Sequence, residues 1–296
     1  MRRALITGIT GFTGRYMAAE LEAAGYAVAG ISHGEPPEGT QDVYACDLTD
    51  RPRLAEIVGI VKPDVVVHLA AIAFVAHDDA EAIYRVNVGG ARNLLEALAN
   101  GPHKPSSVLL ASSANVYGNS TAGVLDETAT LAPANDYAIS KIAMEYMADL
   151  WRKRLPITIV RPFNYTGVGQ AEHFLLPKIV SHFRRKAPVI ELGSLDVVRD
   201  FSDVRTVVQC YRRLIESETP SGTIYNVCSG QGYSLQEVLA LARRLSGHDL
   251  EVRVNPAFVR ENEVRTLIGS KARLEAAVGP VPVIPLANTL QWMLEA

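Results

Sequence analysis

Short runs of apolar residues alternate with longer amphipathic stretches through the first half of the chain. Residues 4–7, 27–32, 65–69, 108–112 and 157–161 each read as a buried strand, rich in Val and Ile. Between them, residues 13–24, 51–61, 80–100 and 136–154 carry helical patterns. Gly25 follows the first of these, where a helix end favours a left-handed residue. Strands alternating with helices predict right-handed crossovers and a parallel sheet covered on both faces. The expected fold class is α/β, a doubly wound parallel sheet (Rossmann) with a smaller C-terminal lobe.

After Arg161 the rhythm loosens. Residues 164–173, 193–201, 230–233 and 256–264 read as loops, whereas 224–227 reads as a returning sheet element. The expected organisation is a dinucleotide-binding domain over 1–163, with segments near 195–228 returning to it. Residues 164–296 then form mainly the second lobe.

Composition narrows the function. With 29 basic and 32 acidic residues the net charge is −3, which leaves no electrostatic footprint for nucleic acid or an anionic membrane. A hydrophobic content of 48% over 296 residues is too high for disorder and suits one large domain or a domain plus a lobe. Cys46, Cys210 and Cys228 are odd in number and widely spaced, so neither a disulfide scaffold nor a thiol metal site is expected. The seven histidines show no ligand spacing, and no metal is expected. The opening residues 1–7 are too short an apolar stretch for a signal peptide, and residues 65–76 too short to span a bilayer. A reducing cytoplasm is the expected location.

The first strand runs into Gly8-Ile9-Thr10-Gly11-Phe12-Thr13-Gly14 and then a helix. Glycine permits a tight turn and close approach to a pyrophosphate, and the helix N-terminus offers N–H groups to an anion. This placement predicts a dinucleotide site. At the end of the second strand, Gly30-Ile31-Ser32-His33-Gly34 carries no carboxylate, and Ser32, His33 and Arg15 are candidates to accept a 2′-phosphate. NADPH is the expected cofactor, with NADH possible. Asp47, in Cys46-Asp47-Leu48, either meets the adenine amino group or caps a turn before Arg51.

Tyr137 and Lys141 lie four apart in a helical segment and share a face. An ammonium beside a phenol is expected to lower its pKa from about 10, giving a group that exchanges a proton near neutrality. Upstream, a strand ends in Ser112-Ser113-Ala114-Asn115-Val116-Tyr117-Gly118. A serine there either donates to a carbonyl oxygen or caps a turn.

In this order the motifs resemble the extended short-chain dehydrogenase/reductases. They are Thr7-Gly8-x-x-Gly11-x-x-Gly14, Asp47-Leu48, His68-Leu69-Ala70-Ala71, Asn87-Val88, Ser112-Ser113-x-x-Val116-Tyr117-Gly118 and Tyr137-x-x-x-Lys141. The resemblance implies that Ser113, Tyr137 and Lys141 are the catalytic residues, with Lys141 also holding the nicotinamide ribose. It implies a cofactor site built from Gly8, Gly11, Phe12, Thr13, Gly14, Ser32, His33, Asp47, Leu48, Leu69, Ala70, Ala71 and Asn87, with Tyr137 and Lys141. Many members act on nucleotide sugars. The 4,6-dehydratases carry one or two carboxylates after the serine position, where this chain has Ala114 and Asn115, neither able to exchange a proton at neutral pH.

The second half resembles the GDP-6-deoxy-D-mannose reductases, also called GDP-4-keto-6-deoxymannose reductases. The resemblance rests on Arg161-Pro162-Phe163-Asn164 through Gln170, on 198–204, on Tyr225-Asn226-Val227-Cys228-Ser229-Gly230 and on 260–264. By it, Asn164, Arg199 and Arg260 meet the sugar and diphosphate, Glu263 the guanosine ribose, and Lys178 the nucleotide. The implied reaction reduces the C4 ketone of a GDP-4-keto-6-deoxyhexose to GDP-D-rhamnose or its 4-epimer. A nucleotide-sugar 4-epimerase or a GDP-mannose 4,6-dehydratase are the alternatives. Family members often pair the helices at 80–100 and 136–154 between subunits, which implies a homodimer.

Overall fold

Residues that are apolar on both faces of a strand are covered only by a sheet buried on both sides. The computed structural model describes residues 1–35, 42–73, 79–120, 123–218, 221–258 and 264–296. Its strands are β1 (Arg3–Thr7), β2 (Ala27–Ser32), β3 (Val43–Ala45), β4 (Val65–His68), β5 (Ser107–Ala111), β6 (Val124–Leu125) and β7 (Ile157–Pro162). There follow β8 (Asn164–Thr166), β9 (Val189–Leu192), β10 (Val198–Asp203), β11 (Ile224–Val227), β12 (Gly232–Ser234), β13 (Glu251–Val254) and β14 (Thr266–Gly269).

Seven strands form one sheet in the order β11-β7-β5-β4-β1-β2-β3, every neighbouring pair parallel. Alternate side chains face opposite layers. Leu5, Val66, Leu110 and Ile159 pack beneath the helices Arg51–Val61, Ala91–Asn100 and Asp136–Asp149. Ile6, Val67, Leu109 and Val160 pack beneath Phe12–Ala23, Val204–Glu216 and Ala272–Val278. Chain order reverses direction between β1 and β4, the doubly wound arrangement. Gly25 ends the first helix with φ +83°, as its position predicts.

Two expected elements differ in form. The segment 80–100 is not one regular helix: Ala80–Tyr84 widens into a π turn at Arg85–Gly90 before Ala91–Asn100. Asn87, in the wide turn, accepts from Ile72 N at 2.9 Å and donates to Ser140 Oγ at 3.0 Å, so it ties the loop after β4 to the neighbouring helix. The expected loops at 164–173, 193–201 and 230–233 contain the short strands β8, β10 and β12. These join β14 and β6 in a second, smaller sheet. These strands, of three to six residues, pair with distant segments, so local pattern gives no sign of them. β10 belongs to this second sheet, and the chain returns to the large sheet through helix Val204–Glu216 and β11.

The rest of the second half packs its own core from Ile179, Phe183, Val238, Leu239 and Leu290 on helices Leu175–Arg184, Leu235–Ser246 and Leu286–Glu295. Cys46, Cys210 and Cys228 are buried free thiols. Among the described residues no helix is long and apolar enough to cross a membrane.

His68, at the end of β4, is 1% exposed and bonds Thr7 Oγ1 through Nδ1 at 2.7 Å. Burial, reinforced by Lys141, pushes its pKa from the ordinary 6.5 down to about 3. The unfolded chain takes up this proton below 6.5 while the folded chain does not, so acidification favours unfolding across that window. Urea unfolding between pH 6.5 and 5 should lose up to about 1.4 kcal/mol per pH unit from this group. His68→Asn should flatten that slope; an unchanged slope would contradict it.

Candidate active site

The carboxyl ends of β1, β4, β5 and β7 open onto one cleft of about 390 Å³. Its walls bring together Gly8, Gly11, Phe12, Thr13 and Gly14 from the first turn, Leu69 and Ala71 after β4, and Ser113 after β5. Tyr137 and Lys141 enter from helix Asp136–Asp149, and Asn164 from the start of β8.

The glycine turn is shaped by contact. A Cβ on Gly14 would stand 2.2 Å from Gly8 O and 2.6 Å from Ile9 Cα, so only glycine lets the helix sit directly on the turn. Gly8 itself has φ +73°. The helix begins at Phe12 with no capping side chain and no acid in its first turn. Its N–H groups are therefore presented to the cleft as an anion-binding end, which suits the diphosphate of a dinucleotide.

Ser32 is buried, its hydroxyl 3.1 Å from Thr10 Oγ1, and His33 is exposed with Nε2 3.6 Å from Asp47 Oδ2. Asp47 accepts from Thr49 N and Thr49 Oγ1, both at 2.8 Å, which holds its carboxyl below the usual range. Asp47 thus closes its own turn with Thr49 and does not cap helix Arg51–Val61, whose cap is Asp50. Leu48 packs under Gly90, and Ala70 donates its N–H to Thr7 Oγ1 at 3.2 Å. Arg15 turns instead to the Gly169 carbonyl, at 3.1 Å.

Ser113, Tyr137 and Lys141 are 9%, 9% and 3% exposed, so all three are shielded from bulk water. Lys141 Nζ donates to Ala111 O at 2.8 Å and lies 5.8 Å from the centroid of the Tyr137 ring. The expected lowering of the tyrosine by this ammonium is not what the geometry gives. Burial pushes the Tyr137 phenol up to about 12, with the Ser113 hydroxyl, hydrogen-bonded to it, pulling the other way. Burial likewise pushes Lys141 down to about 8, opposed by Glu145. The phenol holds its proton at neutral pH.

Asn164 carries a buried amide Nδ2 with no hydrogen-bond partner in the protein, as a group aimed at a polar ligand would. Lys178 donates to Glu191 O at 2.8 Å and lies over the Phe258 ring. Arg199 donates to the carbonyls of Val198 and Arg265 at 3.0 and 3.2 Å. The structure places both in the second lobe, outside the cleft walls. Arg260 and Glu263 lie outside the described residues.

Three residues that the sequence reading did not assign also shape the site. Tyr165 stacks on Phe12 and bonds Thr13 Oγ1 at 2.8 Å, and Phe174 and Phe201 add apolar wall. Glu145 sits one helical turn beyond Lys141, a spacing visible in the sequence, but its partner Arg161 comes from a distant strand.

The comparisons with known proteins agree with this geometry. The chain is 36% identical to the GDP-6-deoxy-D-talose 4-dehydrogenase of Aggregatibacter actinomycetemcomitans, covering 93% of this chain and 90% of that one. It is 33% identical to the GDP-6-deoxy-D-mannose reductase of Pseudomonas aeruginosa, covering 99% and 96%. Among solved structures, a candidate epimerase from Burkholderia cenocepacia J2315 superposes with a TM-score of 0.93 at 54% identity, covering 99% of this chain and 97% of that one. RMD from Pseudomonas aeruginosa complexed with NADPH gives 0.88 at 32% identity, covering 100% and 98%. Residues 4–228 match the NAD dependent epimerase/dehydratase family, and the chain is a member of it.

Proposed function

We propose that this protein reduces the C4 ketone of a GDP-4-keto-6-deoxyhexose with NADPH, giving GDP-6-deoxy-D-mannose (GDP-D-rhamnose) or its 4-epimer. The observation that carries this reading is the convergence of Ser113, Tyr137 and Lys141 in one cleft with the glycine turn. Two relatives whose names concern C4 chemistry of GDP-6-deoxyhexoses support the substrate class. NADH remains an alternative electron donor; the relative complexed with NADPH and the absence of a carboxylate at residues 30–34 favour NADPH. The free buried thiols suit a reducing cytoplasm.

The glycine turn and the first helical N–H groups would hold the cofactor's diphosphate, and Ser32 and His33 would meet its adenosine end. The nicotinamide, when bound, supplies the hydride. Tyr137 gives its proton to the ketone oxygen as negative charge builds there, Ser113 donates a hydrogen bond to that oxygen, and Lys141 places a cation 5.8 Å from the Tyr137 ring. Solvent then returns the proton to Tyr137, which balances the step. Asn164 orients the hexose, and Lys178, Arg199, Arg260 and Glu263 are proposed for the GDP moiety, whose remote binding energy orients the ketone. Ala114 and Asn115 follow Ser113 without any carboxylate, so elimination of water has no acid or base there.

A 4-epimerase would use the same three residues, and the Burkholderia neighbour keeps that second reading open. The assay that separates the two is incubation with NADPH and the GDP-4-keto sugar, followed by product analysis. The reductase consumes NADPH in step with product, whereas an epimerase carries NAD away on purification. Tyr137→Phe should cut kcat by roughly 10²–10⁴-fold with NADPH binding retained. Full activity in that variant would overturn the mechanism. Gly14→Ala should weaken NADPH binding by roughly tenfold or more, read by NADPH fluorescence titration.

We also propose a homodimer. Ile139, Tyr146 and Leu150 are 42%, 66% and 80% exposed and recur at helical spacing along Asp136–Asp149 and its end, forming an outward apolar stripe. Light scattering after size exclusion should give about twice the mass of one chain, and Leu150→Glu should lower it; a monomeric mass for the unaltered protein would end the proposal.

A further inference from the structure

The reaction proposed above uses Lys141 as a buried cation, yet the three residues named for it do not explain what keeps an ammonium charged there. The next turn of the helix does. Glu145 follows Lys141 by four positions and shares its face. It is 5% exposed, and Arg161 grips both carboxylate oxygens, Nε to Oε1 at 2.9 Å and Nη2 to Oε2 at 2.6 Å. Ser112 donates to the same Oε1. Arg161 in turn donates to Tyr117 Oη at 3.0 Å, and Tyr117 to Asn226 Oδ1 at 2.7 Å. The pair is thereby clamped between β5, β7 and β11. Lys141 bonds the carbonyl of Ala111, and Glu145 takes the hydroxyl of Ser112, so the two side chains hold consecutive residues immediately before Ser113.

We propose that Glu145, fixed by Arg161 and Ser112, is a positioning residue that keeps Lys141 a cation aimed at the strand end bearing Ser113. This rests on the reading of Lys141 as part of the active site.

Among the described residues the groups acting on Lys141 are few. Its own helix supplies Tyr137 and Glu145, β4 supplies the buried neutral His68, and β5 supplies the Ala111 carbonyl. Arg161, on β7, reaches it through Glu145. Against burial, which drives Lys141 down to about 8, Glu145 is the opposing charge. Bidentate pairing to Arg161 matters because a lone buried carboxylate would take up a proton and lose that effect.

The test is the ¹³Cε titration of Lys141 in lysine-labelled protein without cofactor or substrate, the resonance being identified by its loss in Lys141→Met. Glu145→Gln should lower the midpoint by about one pH unit or more. Glu145→Asp, which keeps the charge, should stay within about half a unit of the unaltered protein. Tyr117→Phe, which disturbs the cluster without changing a charge, should leave the midpoint in place. An unmoved midpoint in Glu145→Gln, or an Asp variant that falls as far as Gln, overturns the proposal. Should Glu145→Gln not fold, Glu145→Gln with Arg161→Met removes both charges together and leaves no buried ion alone. A smaller fall is then expected, because the Arg161 cation leaves with the carboxylate, and no fall at all overturns the proposal. Because no substrate is used, inactivity of the enzyme on a GDP-4-keto sugar would count against the function above and not against this result.

Discussion

The site exists because β1 and β4 are neighbours whose chains leave in opposite directions. The segment after β1 crosses to one face of the sheet and the segment after β4 to the other, so a crevice opens at their carboxyl ends. Gly8 follows β1, Leu69 and Ala71 follow β4, and Ser113 follows β5 by two residues. Thr7 fastens the two sides, its hydroxyl taking the Ala70 N–H and pairing with His68. The contact of Gly14 with the Gly8 carbonyl then brings the first helix onto the crevice floor. Any residue larger than glycine would tilt this helix and move its N–H groups away from a diphosphate.

Burial sets the proton economy of this crevice. It drives both Tyr137 and Lys141 toward their neutral forms, the phenol up to about 12 and the ammonium down to about 8. Near neutrality both still carry their protons. In the reductive direction proposed above the tyrosine would begin protonated, whereas alcohol oxidation would need tyrosinate at the outset.

Much of this was legible from the residues. Periodicity identified five strands of the large sheet and the helices between them, because parallel strands buried on both faces are unbroken apolar runs. Residue 224–227 could be recognised as a returning strand on the same grounds. Glycine spacing and the Tyr137–Lys141 interval survived into three dimensions because both are local, set within one turn or one helix. The second sheet was hidden, since β8, β10 and β12 find partners far away in sequence. Direction of the tyrosine shift was misjudged for a related reason. Spacing puts Lys141 on the right face, but only the fold sends its nitrogen to the Ala111 carbonyl and buries both groups.

The second lobe is joined to this chemistry by backbone pairing. Phe201 of β10 stands in register with Asn164 of β8, just past the end of β7, so the lobe's first strand and the cleft wall are one structure. Asp200, fully buried, accepts from Ser229 N, Ser229 Oγ, Gly230 N and Gly269 N, tying β10 to the end of β11 and to β14. A hinge between the sheet and the lobe would have to break these bonds in a dry interior. In the reaction proposed above, Asn164 and Phe201 on this seam would turn the hexose and with it the face that receives hydride.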